Sequence, residues 1–178
     1  MPSLGSVASA LGSPFRVKHA GTVRGVLRAP PESGAALNPT FPPRRILTVS
    51  RKESLAAGNV ITDLTGNQFL VGSWAEDIAF GGAIGRSFVL FEVTKTVAWQ
   101  RQTFTVEPIS GQRIAGGLAT LGEIEVVSEP LRELTGTVGT TRVFRCLTAA
   151  PIEVGDIVGG QKIFHVEQTL GLTYGQAN

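Results

Sequence analysis

The stretch ESLAAGNVITDLTGNQFLVGSW, residues 53–74, returns in outline near the other end of the chain as APIEVGDIVGGQKIFHVEQ, residues 150–168. Each copy has an apolar residue (Leu55, Ile152), a two-residue spacer, a Gly-Asn or Gly-Asp pair (Gly58-Asn59, Gly155-Asp156), then two aliphatics. Glycine enters a left-handed turn without steric cost, and Asn or Asp beside it bonds the local backbone. The aliphatics then start a strand. The pattern is a turn into a sheet edge and includes no nucleophile with a base beside it. RRILTVSRKESLAAGNVI aligns without gaps on TRVFRCLTAAPIEVGDIV. After a small deletion QFLVG meets IFHVE, and upstream TVRGVLRAP lies on RIAGGLATL. Such a repeat arises either from internal duplication of a module or from convergence of hairpins on one turn chemistry.

The rest of the chain also reads as β. The 22 glycines and 10 prolines among 178 residues argue against a helical bundle, and 42% apolar residues suffice for a core. FRVKHA alternates, with Phe15 and Val17 on one face and Arg16 and Lys18 on the other. TVRGVLRAP, with Gly25 inside it, and RRILTVS, with Leu47 and Val49 on one face, are further strands. FVLFEVTKTVAW (residues 88–99) reads as one strong strand. TFTVEP, QRIAGGLATL, GEIEVV, TTRVFRCL, DIVGG and KIFHVEQ follow at spacings typical of sandwiches and barrels. Residues 30–43 form a proline-rich loop, residues 75–87 a glycine-rich one, and RKESLAAG a short helical turn. The small residues 1–14, with SVASAL as one or two helical turns, form a flexible arm, and the tail GLTYGQAN is polar. The expectation is a mostly β protein built on a small β-barrel, or on two barrel-like modules by duplication, with long loops. The arm takes residues 1–14, the first module 15–99, and a second module or extension 100–178.

No catalytic, cofactor or metal site is expected. The lone Cys146, inside RVFRCL, excludes an intrachain disulfide framework and a multi-cysteine zinc site and reads as a buried thiol. His19 and His165 lie in opposite halves without ligand spacing and read as strand residues. FGGAIGRS lacks the spacing of a phosphate-cradling loop. Glu129 and Glu133 read as part of a solvated turn, and Trp74 and Trp99 as core. No apolar run is long enough to span a membrane, and the N-terminus lacks the layout of a signal peptide, which points to the cytosol or an assembly built there.

A net charge of +2 is too weak to indicate nucleic-acid binding by itself. The 17% charged content leaves a surface that is neutral or covered by other subunits. The first third is nevertheless basic: Arg16, Lys18, Arg24, Arg28, Arg44, Arg45, Arg51 and Lys52. These read either as a solvated strand face or as a contact for nucleic acid or an acidic partner, and Arg86 could meet a phosphate.

The order of pieces ALGSPFRVKHAGTVRGVLRAP, a proline-rich excursion, RRILTVSRKESLAAGNVITDLTGNQFLVG and RSFVLFEV resembles the head–tail joining, or head-completion stopper, proteins of tailed bacteriophages. The matching positions are Phe15, residues 23–26, 47–49, 55–61 and 66–71, with Asn59 where Asp is usual and Phe69 where Tyr is common. The resemblance covers residues 10–93; residues 100–178 lie outside the usual small form. It implies a non-enzymatic β-barrel subunit of the virion neck, assembled in the host cytoplasm. Such a subunit forms a homo-oligomeric ring between portal or adaptor and tail terminator or tail tube, with packaged DNA in its channel. Residues 30–43 and 75–87 would be docking or channel-closing loops. A capsid decoration or tail-tube protein is the alternative.

Overall fold

The computed structural model describes residues 11–30, 41, 44–79, 82–129, 132–136 and 139–177. The expected SVASAL helix falls almost wholly outside them, as does most of the proline-rich stretch. The described residues form thirteen strands.

Six of these strands close the first barrel: β1 (Ser13–Val17), β2 (Gly21–Arg28), β3 (Arg45–Ser50), β4 (Val60–Thr62), β5 (Gln68–Ala79) and β6 (Gly82–Glu92). The order around it is β1-β2-β3-β6-β5-β4, with β1 pairing back to β4. The alternation read from the sequence sets its interior: Phe15, Val17, Val23, Leu47, Val49, Leu55, Ile61, Phe69, Val71, Phe88 and Leu90 are buried together. Gly25 also faces inward. A Cβ there would stand 2.5 Å from Leu47 Cδ1 and 2.9 Å from the Thr48 carbonyl, so the strand accepts only glycine at that point.

The remaining strands are β7 (Lys95–Val106), β8 (Arg113–Ser128), β9 (Arg132–Gly136), β10 (Gly139–Thr148), β11 (Ile157–Val158), β12 (Gln161–Thr169) and β13 (Leu172–Ala177). They form a sheet in the order β13-β12-β11-β7-β8-β10-β9, and β13 also pairs with β10. That pairing closes β7-β8-β10-β13-β12-β11 into a second ring, with β9 added on β10. The strand order repeats that of the first barrel, β7 standing for β1, β8 for β2, β10 for β3 and β11 to β13 for β4 to β6.

The shared turn explains the repeat. Gly58 (φ 87) and Gly155 (φ 96) are both left-handed. The Asn59 side-chain oxygen accepts from the Ala56 amide at 2.9 Å, and the Asp156 carboxylate accepts from the Glu153 amide at 2.9 Å. The Gly58 amide donates to the Val71 carbonyl and the Gly155 amide to the Ile163 carbonyl, each at 2.8 Å. Leu55 and Ile152 are buried beneath their respective turns.

These bonds also correct the alignment. Ile163, rather than Val166, stands where Val71 stands. Val17 pairs with Ile61 and Gly21, and Trp99 with Val158 and Gly122. Phe15 pairs with Val23, and Val97 with Ile124. TVRGV therefore matches EIEVV (residues 123–127) and not RIAGGLATL. The second interior holds Ile124, Val126, Phe144, Cys146, Ile152, Val158, Ile163 and Ala177, with Trp99 packed against it.

A third core joins the two rings. Val60, Leu70, Val89 and Phe91 on the outside of the first barrel, with Phe41, pack against Leu147 and Leu172 of the second; Val127, Leu170 and Tyr174 flank them. The two-residue turn Leu170-Gly171 (φ 52 and 72) docks on β5, where the Ser73 amide donates to the Leu170 carbonyl at 2.6 Å.

Several sequence expectations change. Residues 88–99 are not one strand: β6 ends at Glu92, the chain crosses at Val93-Thr94, and Thr94 donates from its amide to the Val126 carbonyl at 2.9 Å. The division expected at 99/100 thus falls inside β7, and residues 95–99 pair within the second sheet. Residues 75–87 are mostly strand, because β5 and β6 continue as a bulged hairpin. QRIAGGLATL and GEIEVV are one strand, β8, with Gly122 (φ 143) at its irregularity. RKESLAAG forms turns and no helix. RELTG is strand β9, and the tail supplies β13. His19 (φ 66) lies in the β1–β2 turn rather than in a strand, whereas His165 lies in β12.

Candidate functional site

The basic residues separate into groups with different surroundings. Arg16 and Arg24 are both exposed. The β1–β2 register pairs Arg16 with Thr22 and Pro14 with Arg24, so the two cations are diagonal neighbours on the outward face. Lys52 is exposed in the turn after β3, beside Arg51. Among the described residues no carboxylate pairs with Arg16, Arg24 or Lys52. Arg44 and Arg45 lie at the opposite end of β3, where Arg44 Nε is 3.6 Å from a Glu92 carboxylate oxygen. Lys18 crosses between the barrels to pair with Glu125. Arg86 does not join this face: its guanidinium donates to the Glu53 carbonyl and lies 5.8 Å from the Phe88 ring centroid, at the mouth of the first barrel. The expected basic residues therefore divide into an uncompensated pair on β1–β2 (Arg16 and Arg24), Arg51 and Lys52 in the turn after β3, and five residues engaged within the chain: Lys18, Arg28, Arg44, Arg45 and Arg86.

The equivalent face of the second barrel has the opposite sign. Register places Glu123 and Glu125 where the first barrel has Thr22 and Arg24. Glu123 is exposed and has no cation partner among the described residues.

Sequence reasoning missed a second projection, the β7–β8 arm of residues 100–121. Between Val17 and Gly21 the first barrel spends three residues, 18–20; between Trp99 and Gly122 the second spends residues 100–121. This extra hairpin, the outer parts of β7 and β8, has Phe104, Val106, Ile109, Ile114, Leu118 and Leu121 exposed, Ile109 at 96%. Its root is fixed by Asp156. That carboxylate, 1% exposed, accepts from Arg101 Nε at 2.7 Å and Nη2 at 2.9 Å, from Trp99 Nε1 at 2.8 Å, and from the Glu153 amide. Burial alone pushes the Asp156 carboxyl up, but the bonds from Arg101, Trp99 and the Glu153 amide outweigh it and hold it below the usual aspartate range. In turn the Asp156 carboxylate, with the Glu153 carboxylate beside it, raises the Arg101 guanidinium. A cleft of about 390 Å³ lies beside this root, between Phe104 and Arg113 on the arm and Val154 and Lys162 on the barrel.

The other candidate groups assemble no reaction centre. Burial pushes the Cys146 thiol up to about 11, as suits a residue packed in the second interior where Val49 packs in the first. Glu129 lies 3.6 Å from Arg145, and the side chain of Glu133 is outside the described set. Among the described residues no three His, Cys, Asp or Glu side chains gather as a metal site requires, and no helix is long and apolar enough to cross a membrane.

Fold and surface define a class only: a mostly β protein of two small barrels with an uncompensated basic face and a neutral arm. No family model, no curated protein and no solved structure matches the chain.

Proposed function

We propose that this chain is a non-enzymatic structural protein of the tailed-phage neck. Its ring lies between portal or adaptor and tail, joins head to tail and helps to retain packaged DNA. One observation carries the reading. The segments that resemble head–tail joining proteins make one complete closed barrel, and their apolar positions Phe15, Val23, Leu47, Val49, Leu55, Ile61, Phe69 and Val71 are its interior. A capsid decoration or tail-tube protein is the second reading. It draws on the exposed β7–β8 hairpin, since subunits used in many copies need apolar contacts between neighbours.

Disrupting the gene in a phage that carries it, with electron microscopy of the lysate, tests the proposal. The expected result is separate heads and tails, with heads that lose DNA. Joined, infectious particles at normal yield would contradict it.

A further inference from the structure

We infer that the β7–β8 arm is the clasp by which one copy of the chain holds the next, its apolar residues and Glu123 meeting the outward β1–β2 face of a second copy. This rests on the ring reading above and names the contact that builds the ring.

The second barrel does not need the arm to close. The first barrel joins the equivalent strands with the three residues 18–20 and reaches the same six-strand order. A two-stranded ribbon is marginal in water by itself and exposes unpaired edges. Natural edges are usually guarded by lysine or other charges, yet residues 100–121 carry only Arg101, Glu107 and Arg113. Arg101 is held by Asp156, and Arg113 lies over the Phe104 ring at 4.7 Å. The surface is therefore neutral and apolar, which suits protein and not nucleic acid.

The root aims the arm. Asp156 ties Trp99 and Arg101 at the point where the hairpin leaves the barrel, so less orientational freedom is lost on docking. Area agrees. One face of a ribbon roughly 30 Å long and about 10 Å wide offers about 300 Å², so the arm supplies a substantial part of the ~800 Å² that one partner gives a standard interface and the barrel surface beside its root supplies the rest.

Charge selects a second copy and its orientation. Arg16 and Arg24 on the first barrel lack acidic partners among the described residues, while Glu123 at the arm's root lacks a cation. Like faces repel and unlike faces attract, so contact between copies runs head to tail. A heterologous contact of this kind forms a ring when its rotation closes.

The test is the concentration dependence of assembly of the full chain, by native mass spectrometry and light scattering. Wild type is expected to assemble. Replacing residues 100–121 with the turn of residues 18–20 is expected to leave monomer. Because that change also removes Arg101, the pair Val106→Asp and Leu118→Asp, which leaves the root intact, is measured beside it and is expected to give the same loss. Arg24→Glu should raise the half-assembly concentration about tenfold or more, and adding Glu123→Arg should restore it. A monomeric wild type, arm variants that assemble normally, or a charge swap without rescue would each overturn the inference. Arg24→Glu that assembles as wild type but loses DNA binding would also overturn it. Normal assembly of arm variants in a protein present in particles at ring stoichiometry defeats the clasp alone. Arm-dependent oligomers of a protein absent from particles defeat the neck reading alone.

Discussion

Phe91→Ala is expected to destabilise the protein by about 3–5 kcal/mol and to split its unfolding into two transitions. Phe91 is 1% exposed and belongs to the core between the barrels, packed with Leu70 and Val89 on one side and Leu147 and Leu172 on the other. Truncation leaves a cavity in a seam formed by two separately closed rings, which cannot collapse around it without tilting against each other. Each barrel retains its own interior, so the coupling is lost before either fold. Urea unfolding followed by tryptophan fluorescence reads both effects, since Trp74 lies in β5 and Trp99 in β7. Single tryptophan-to-phenylalanine backgrounds assign the transitions. A loss under about 1 kcal/mol with one coincident transition would mean that the seam contributes little.

Asp156→Ala is expected to cost about 3 kcal/mol, and Asp156→Asn about half as much. Alanine leaves the Trp99 indole and the Glu153 amide without their acceptor, and leaves the Arg101 guanidinium only the Glu153 carboxylate at 3.1 Å and the Pro151 carbonyl at 3.4 Å. Asparagine keeps the turn, as Asn59 does in the first barrel, but loses the charge that holds Arg101. The native carboxyl lies below the ordinary aspartate value, so its stabilisation is complete above that value and is lost as pH falls through the native one. The gap between wild type and Asp156→Asn, measured by denaturant titration, should therefore be constant near neutrality and shrink below about pH 4. A gap that widens on acidification would reverse the assignment. Because Arg101 begins the arm, Asp156→Ala should also weaken assembly.

Much of the architecture was legible because alternation is a local property. Phe15 with Val17 and Leu47 with Val49 name one face of a strand, and those faces became the first interior. The Gly58-Asn59 and Gly155-Asp156 turns were legible because a left-handed glycine and a side-chain cap have few substitutes. Where strands end was less so. TKTVAW continues the apolar rhythm of FVLFEV, and only tertiary pairing shows that the chain changes barrel at Val93-Thr94. The arm stayed hidden for a related reason. Phe104 and Val106 alternate as core residues do, and alternation says which side chains share a face, not whether anything covers it. The basic residues were visible as a count, but separating Arg16 and Arg24 from Arg86 required the register of β1, β2 and β6. The mismatch of TVRGVLRAP with RIAGGLATL follows from the same limit. Both contain a Gly followed by an aliphatic (Gly25-Val26, Gly117-Leu118), yet the match by strand position is EIEVV, which has no glycine.

The central claim, that this two-barrel chain is a ring subunit of the phage neck, is tested most directly by its copy number in purified virus particles. Quantitative mass spectrometry against the portal and major capsid proteins gives that number. The account predicts parity with the portal, or half of it. Abundance near that of the capsid or tail-tube subunit, or absence from the particles, would contradict it.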